Sequence, residues 1–206
     1  MEVVRKFDHI FPTIINIIDD VLEPEYIDSM VKHIMDSSKV GRKKNWQSED
    51  NPHLHKHPKY KALSDKVLEV SKMYIDDLQF EFESHYISGM WSNILKPGET
   101  HGTHTHSNNF LSGVYYPQAD GNSPAINFMD PRPQASVIQP HATKYTKVNS
   151  NIYYYPAKTN RMLLFPSWLQ HYVPANETNQ NRISIAFNVM FHGEVGRPKN
   201  FQTATF

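Results

Sequence analysis

The chain has 206 residues, in which 21 Lys and Arg balance 21 Asp and Glu, and it contains no cysteine. A net charge of zero gives no support for steering toward nucleic acid or a charged membrane surface. Without cysteine, the chain has neither disulfides nor thiolate chemistry. The N-terminus lacks the apolar run of a signal peptide, and no window reaches membrane-spanning length. We therefore expect a single cytoplasmic domain with a sizeable core.

Two helices are predicted within the first 80 residues. Pro24 opens the first, because proline suits the first helical turn, and apolar residues then recur at helical spacing. The second runs from Leu63 to Leu78 and has one apolar and one charged face. The segment between them is polar, and we interpret its alternating histidines, His53, His55 and His57, as part of a solvated loop. Its basic cluster, residues 42–44, is too short to indicate nucleic-acid binding.

After about residue 80, short β-branched and aromatic runs alternate with turn signals such as Pro97-Gly98 and Asp120-Gly121. This pattern is typical of a jelly roll or barrel. The predicted strands cover residues 82–95, 110–116, 125–129, 152–155, 162–165, 170–173 and 183–191. We predict an α+β, mainly β fold in one domain over 1–206, with a helical flank at 1–80 and a jelly-roll core at 81–206.

Three histidines have the spacing of a metal site. His104 and His106 are one residue apart, so on a strand both rings point to the same face, and His171 follows far downstream. Imidazole is the commonest side-chain metal ligand. Three ligands on one side leave the other side of an ion open, as a catalytic site requires.

A polar face is predicted on the strand that follows His171. Alternation places Arg182, Ser184 and Asn188 on one side and apolar residues on the other. Burying such groups unpaired is costly, so this face is either wet or in contact with a ligand. The planar guanidinium suits a carboxylate, and the serine hydroxyl can add a hydrogen bond. Asn93 and Asn188 are interpreted either as residues of that pocket or as partners of backbone groups.

The order of several short motifs resembles that of the Fe(II)/2-oxoglutarate-dependent oxygenases, a superfamily built on the double-stranded β-helix. The matching motifs lie at residues 91–98, 104–106, 111–116, 128–133, 164–171 and 182–184. The narrower resemblance is to a group of such oxygenases from marine bacteria and phages. It implies a cupin-like jelly roll with two flanking N-terminal helices.

The resemblance also implies a set of ligands. Fe(II) would be held by His104, His106 and His171, while Arg182 and Ser184 would grip the far carboxylate of 2-oxoglutarate and O2 would act as oxidant. The superfamily has an acid where this chain has His106. Three histidines are the favoured interpretation, because the narrower group has His-x-His here. In the alternative, His106 does not bind, and Asp130 or, failing that, Glu99 completes the site.

The implied reaction converts 2-oxoglutarate to succinate and CO2 and hydroxylates a C–H bond of an unknown substrate. That substrate is a peptide or a small molecule, and prolyl hydroxylation is the nearest precedent within the superfamily. The sequence defines neither the substrate nor the oligomeric state. Tyr115 and Tyr116 alternate, so one of them faces the pocket, and the strand register decides which.

Three rival interpretations stay open at this point. One is a cupin-like three-histidine dioxygenase that does not use 2-oxoglutarate, in which Arg182 would bind a carboxylate of the substrate. The second is a metalloenzyme in which another divalent ion acts as a Lewis acid. The third is a non-enzymatic jelly-roll module in which any metal only stabilises the fold.

Overall fold

The computed structural model describes residues 3–38, 52–132, 137–196 and 201–206, so the basic cluster at 42–44 lies outside the described residues. The helices are α1 (Pro24–Ser38) and α2 (Lys61–Asp77), and short 3-10 turns precede α2 at Leu54–Lys56 and Pro58–Tyr60. The strands are β1 (Asn16–Ile18), β2 (Ser84–Leu95), β3 (His101–His104), β4 (Leu111–Gln118), β5 (Ile126–Met129), β6 (Ile152–Tyr155), β7 (Arg161–Pro166), β8 (His171–Val173), β9 (Arg182–His192), β10 (Glu194–Val195) and β11 (Ala204–Thr205). Across these ranges, neither helix combines the length and the apolar character that crossing a bilayer demands.

Two antiparallel sheets form the body of the protein. The larger has the strand order β1-β7-β4-β9-β2, and the smaller has the order β3-β8-β5-β6. Strands β10 and β11 form a separate pair near the C-terminus. Apart from β5 and β6, neighbouring strands in both main sheets are non-consecutive in the chain, which is the arrangement of a double-stranded β-helix. The predicted mainly β jelly roll with two preceding helices is therefore confirmed.

The two helices cover the outer face of the larger sheet. Alternate residues of β9 are buried there against apolar side chains of α1 and α2. The main members of this cluster are Met30, Ile34, Leu63, Val67, Val70, Tyr74, Ile183, Ile185, Phe187 and Val189. Full burial of one such side chain contributes about 1.5–3 kcal/mol. Because this face supplies the core, the opposite face of the same strand is available for polar groups.

The inner face of the larger sheet carries both apolar and polar side chains. The apolar ones pack against the smaller sheet, in a cluster that includes Val114, Ile126, Phe128, Leu163, Phe165 and Leu169. Among the polar ones, Asn93 of β2 lies opposite Ser184 of β9, and Ser112 of β4 lies opposite Asn188 farther along β9. Strand register therefore collects the polar residues of three strands between the two sheets.

The helical flank also contributes a strand that the sequence did not predict. In β1, Asn16 lies opposite Leu164 of β7. Just after it, Asp19 accepts two hydrogen bonds from the Arg161 guanidinium at 2.7 and 2.9 Å, and Lys158 lies 3.3 Å away. A strand of three residues is too short to show an alternating pattern in the sequence, which is why it was not predicted. Because β1 pairs with β7, the larger sheet extends into the helical flank.

Two further local differences concern loops. Residues 54–60 form two 3-10 turns in place of a plain solvated loop, and Leu54 is buried beneath them. His57 in this segment packs its ring 4.7 Å from that of His33. Strand β3 ends at His104, so His106 lies outside the strand on which the sequence analysis considered the two histidines together.

We expect Asp19→Asn to lower the free energy of unfolding at neutral pH by about 0.5–1 kcal/mol, the range of a solvent-screened ion pair. Arg161 holds the pKa of Asp19 at about 2, below its ordinary value of 3.8. A carboxyl with a depressed folded-state pKa stabilises the fold above its unfolded pKa, and this contribution is lost as the pH falls toward the folded value. Urea denaturation of the wild type and Asp19→Asn should show a difference in the free energy of unfolding that becomes smaller below pH 3.8. A difference that is constant down to pH 2.5 would contradict the assignment.

Candidate metal centre

Three histidines from different parts of the chain meet at one end of the smaller sheet. His104 in β3 lies directly opposite His171 in β8. His106 lies two residues beyond β3, and its backbone N–H donates to the Ser167 carbonyl at 3.0 Å. One ring nitrogen from each histidine lies within 4.8 Å of the other two. The grouping meets the requirement for a shared metal ion.

The Nδ1 atom of each of these rings is occupied by an oxygen acceptor. The three pairs are His104 with the Gly102 carbonyl at 2.7 Å, His171 with the Leu169 carbonyl at 2.9 Å, and His106 with Asn188 Oδ1 at 2.6 Å. A carbonyl oxygen only accepts, so Nδ1 carries the hydrogen and Nε2 retains its lone pair. Outer contacts of this kind fix the tautomer of histidines in metal sites. All three Nε2 atoms are therefore ready to bind an ion.

Burial favours the neutral form of two of these imidazoles, those of His106 and His171. It lowers the pKa of His171 to about 3 and also lowers the pKa of His106. The neighbouring His101 has a pKa of about 4, lowered by burial and then by the charges of His104 and Arg182. Neutral imidazole is the form that binds metal, so the lowered pKa values of His106 and His171 favour metal binding by these two residues.

Arg182 is a buried cation on the inner face of β9. Its side chain is 3% exposed, and it donates to the Tyr116 hydroxyl at 3.3 Å and to Ser184 Oγ at 3.5 Å. Its Nε has no hydrogen-bond partner, and over the described part of the chain no carboxylate pairs with it. Burial consequently lowers the pKa of the guanidinium. An unpaired buried charge is costly, so this pocket is prepared for an anion.

Asn93 shares the pocket floor with Ser184, which lies opposite it in the sheet. The Asn93 side chain is buried, and its Oδ1 has no hydrogen-bond partner within the described ranges. Unsatisfied buried polar atoms in a native fold indicate that a ligand or water completes them. Three predicted cosubstrate residues, Arg182, Ser184 and Asn93, are thus brought together.

Asn188, the fourth predicted cosubstrate residue, lies elsewhere. It is six positions along β9 from Arg182, which corresponds to about 20 Å of strand. Its Oδ1 contacts His106 and also accepts a hydrogen bond from Ser112 Oγ at 2.8 Å. The structure therefore places Asn188 behind a candidate metal ligand and away from the cationic pocket.

The register of β4 against β9 shows which of Tyr115 and Tyr116 faces the pocket. Tyr116 is on the inner face, where the Arg182 Cζ lies 4.8 Å from its ring centroid. Tyr115 faces the helices, and its hydroxyl donates to Asn160 Oδ1 at 3.0 Å. The structure thus adds Tyr116 to the pocket.

The two carboxylates considered as alternative ligands are engaged elsewhere. Asp130 accepts hydrogen bonds from the Arg132 guanidinium at 3.0 and 2.7 Å and so forms an ion pair with a residue two positions away. Glu99 accepts from the backbone N–H of Lys96 at 2.9 Å. Within the described ranges, the group of potential ligand atoms consists of the three histidines alone.

A cavity of about 400 Å³ opens beside the histidines. Its walls are formed by Pro52, Trp91, His101, His104, Thr105, His106, Ser107, Asn109 and Asn188. The Trp91 ring centroid lies 5.7 Å from that of His106. None of these lining side chains is acidic or permanently charged, and the volume suits a small molecule or one side chain of a larger substrate.

Sequence reasoning missed the residues that support the site. Trp91 was interpreted only as part of a motif, and neither Ser112 nor Ser167 was singled out. Ser112 could have been found from register, because it lies opposite Asn188. Ser167 had no such signal, since it lies in a turn outside any strand.

The fold and the site together define a jelly-roll metalloenzyme with an open histidine centre beside an anion pocket. Residues 89–188 match the family described as "Putative 2OG-Fe(II) oxygenase". The matched segment contains all three histidines, Arg182 and Ser184. This matched segment, just under half of the chain, is similar to the Fe(II)/2-oxoglutarate-dependent oxygenases. Among curated protein sequences, none matches it.

Several solved structures share this fold. SnoN, a non-heme alpha-ketoglutarate-dependent epimerase from nogalamycin biosynthesis, has a TM-score of 0.63 at 9% identity, covering 86% of this chain and 76% of that one. HygX from Streptomyces hygroscopicus, solved with nickel and 2-oxoglutarate, has a TM-score of 0.62 at 11% identity, covering 86% and 83%. A Pseudomonas putida prolyl-4-hydroxylase has a TM-score of 0.58 at 10% identity, covering 87% and 88%. At these identities the likeness establishes the fold.

We expect Arg182→Met to raise the thermal midpoint of the metal-free protein, because it removes an unpaired buried charge. A gain of about 1 kcal/mol would correspond to about 2–4 °C for a chain of this size. The matched control is Arg161→Met, which breaks the ion pair with Asp19 and should lower the midpoint. Calorimetry on the wild type and the two variants measures the thermal midpoints and so tests the predicted rise and the predicted fall. If Arg182→Met lowered the midpoint as much as Arg161→Met, Arg182 would not be an unpaired charge.

Proposed function

We propose that this dioxygenase binds Fe(II) through Nε2 of His104, His106 and His171. Arg182 and Ser184 bind the far carboxylate of 2-oxoglutarate, and Asn93 borders the same pocket. The observation that carries this assignment is that the Arg182 guanidinium is buried without a carboxylate partner. Its positive charge helps to lower the pKa of His101, a residue that lines the cavity together with His104 and His106. A dicarboxylate that reaches from the ion to Arg182 would neutralise both centres.

The donor set fits the ion. Fe(II) accepts imidazole nitrogen, and three protein ligands leave room for the cosubstrate and O2. When bound, iron together with 2-oxoglutarate and O2 supplies the oxidation that yields succinate, CO2 and a hydroxylated C–H bond. Three neutral ligands make the centre one charge more positive than the superfamily's two histidines and one acid. We infer that this difference favours binding of the dianionic cosubstrate.

The residues around Arg182 hold the cosubstrate in one orientation. The Tyr116 hydroxyl and Ser184 Oγ each accept from the guanidinium, so its plane is restrained before a ligand arrives. A restrained guanidinium loses less rotamer entropy on binding a carboxylate. Burial of Arg182 also excludes water, which strengthens the ion pair between its guanidinium and the far carboxylate of 2-oxoglutarate.

The cavity beside Trp91 and His101 is the proposed substrate site. Its neutral lining suits an uncharged group, and its opening adjoins the candidate metal ligands. The P. putida neighbour is a prolyl-4-hydroxylase, so peptides containing proline are the first class to test. Formation of a hydroxylated product together with succinate would support this choice.

We expect anaerobic addition of Fe(II) and then 2-oxoglutarate to produce the visible charge-transfer band of the chelate. His106→Ala should abolish or greatly weaken the band, because it removes one of three ligands. His106→Asp should retain it, since it restores the superfamily's usual donor set. Arg182→Ala should require at least tenfold more 2-oxoglutarate, because a hydrogen-bonded charge contributes about 1.5–3 kcal/mol.

His57→Ala is the control, since this histidine lies outside the candidate centre and should leave the band unchanged. Stoichiometric iron without a band in the wild-type protein would contradict the use of 2-oxoglutarate. An unchanged band in His106→Ala would show instead that His106 is not a ligand.

A further inference from the structure

The third histidine differs from the other two in what contacts its Nδ1 atom. His104 and His171 each donate to a backbone carbonyl, which no substitution can remove. His106 donates to a side chain, Asn188 Oδ1, at 2.6 Å. This is also the position at which the superfamily has an acid. His106, the ligand at which the chain departs from the superfamily, is therefore the one whose orientation depends on a side chain that mutation can remove.

The hydrogen bonds behind His106 run in a determined direction. Ser112 Oγ lies 2.8 Å from Asn188 Oδ1. Because an amide oxygen only accepts, the single hydroxyl hydrogen of Ser112 is donated to Asn188. The Ser167 hydroxyl lies 2.8 Å from Ser112 Oγ and consequently donates to it. Ser112 and Ser167 are almost fully buried, at 0% and 1% exposure, so water does not compete for these bonds. The two serines therefore hold the amide oxygen toward His106.

The same residues also fix the backbone that carries His106. The His106 N–H donates to the Ser167 carbonyl at 3.0 Å, and the Ser167 N–H donates to the Phe110 carbonyl at 3.1 Å. Ser112 lies opposite Asn188 in the sheet. The ring and the main chain of His106 are thus tied to one group of residues on β4, β9 and the turn after β7.

We propose that Asn188 is a positioning residue that holds His106 as the Nδ1–H tautomer, with Ser112 and Ser167 orienting Asn188. The consequence for metal binding rests on the proposed function, in which His106 Nε2 is a ligand. A neutral amide fixes the tautomer without adding charge. The site therefore keeps the extra positive charge that the loss of the acidic ligand created.

The experiment compares Asn188→Ala, Asn188→Asp and Ser112→Ala with the wild-type protein. The matched control is Asn127→Ala, because Asn127 lies on β5 outside the cavity lining and its side-chain amide donates to the Ala125 carbonyl at 3.2 Å. Imidazole ¹⁵N shifts in the metal-free proteins report the tautomer of each histidine. Calorimetric titration with Ni(II), followed by 2-oxoglutarate, measures the two affinities. Circular dichroism confirms that each variant is folded.

In Asn188→Ala, the His106 signals should show mixed tautomers while those of His104 and His171 are unchanged. Ni(II) affinity should fall by about 10–100-fold, the usual loss when an outer contact of a metal ligand is removed. Ser112→Ala should lie between this variant and the wild type, and Asn127→Ala should match the wild type. Asn188→Asp should restore the tautomer and the Ni(II) affinity, but it should weaken 2-oxoglutarate binding because it adds a negative charge.

A pure Nδ1–H tautomer for His106 in Asn188→Ala would overturn the proposal. Equal loss of Ni(II) binding in Asn188→Ala and Asn188→Asp would also overturn it, because a general structural defect would then explain the result. Failure of the proposed function looks different. In that case the wild-type protein would show the expected tautomers but bind no Ni(II).

Discussion

The enclosed positive charge of Arg182 is the constraint on which the rest of this structure depends. A guanidinium that is 3% exposed and has no acidic partner in the described structure destabilises the fold. The apolar packing on the other face of β9 offsets that cost, since Ile183 and Ile185 are fully buried beside it. One strand therefore both anchors the helices and presents a cation to a ligand.

The position of the histidines follows from strand pairing. The β3–β8 register sets His104 against His171, and the turn after β7 binds the backbone of His106. Each ring is then oriented by an oxygen at Nδ1, which leaves Nε2 as the nitrogen that can bind an ion. Preorganisation of this kind lets binding energy serve the reaction instead of folding the site.

Much of this arrangement could be predicted from the sequence. Alternation in residues 182–188 separated the polar and apolar faces of β9, and the pair His104 and His106 indicated a shared ligand face. Helical spacing predicted both helices. These features are local periodic patterns, which a single chain displays without knowledge of its partners.

The missing parts depend on pairing between distant segments. The contact of Asn188 with His106 joins residues 82 positions apart. The choice of Tyr116 over Tyr115 required the register of β4 against β9, and β1 was too short to display a period. Such contacts arise from sheet register, which no local pattern specifies.

The most direct test is a crystal structure of the protein with Fe(II) and 2-oxoglutarate, prepared without O2 and measured at the iron absorption edge. We predict one iron ion bound by Nε2 of His104, His106 and His171, with the far carboxylate of 2-oxoglutarate on Arg182. An ion held by a carboxylate such as Asp130, with His106 turned away, would contradict the three-histidine centre. A cosubstrate that left Arg182 without a carboxylate would contradict the account of its buried charge.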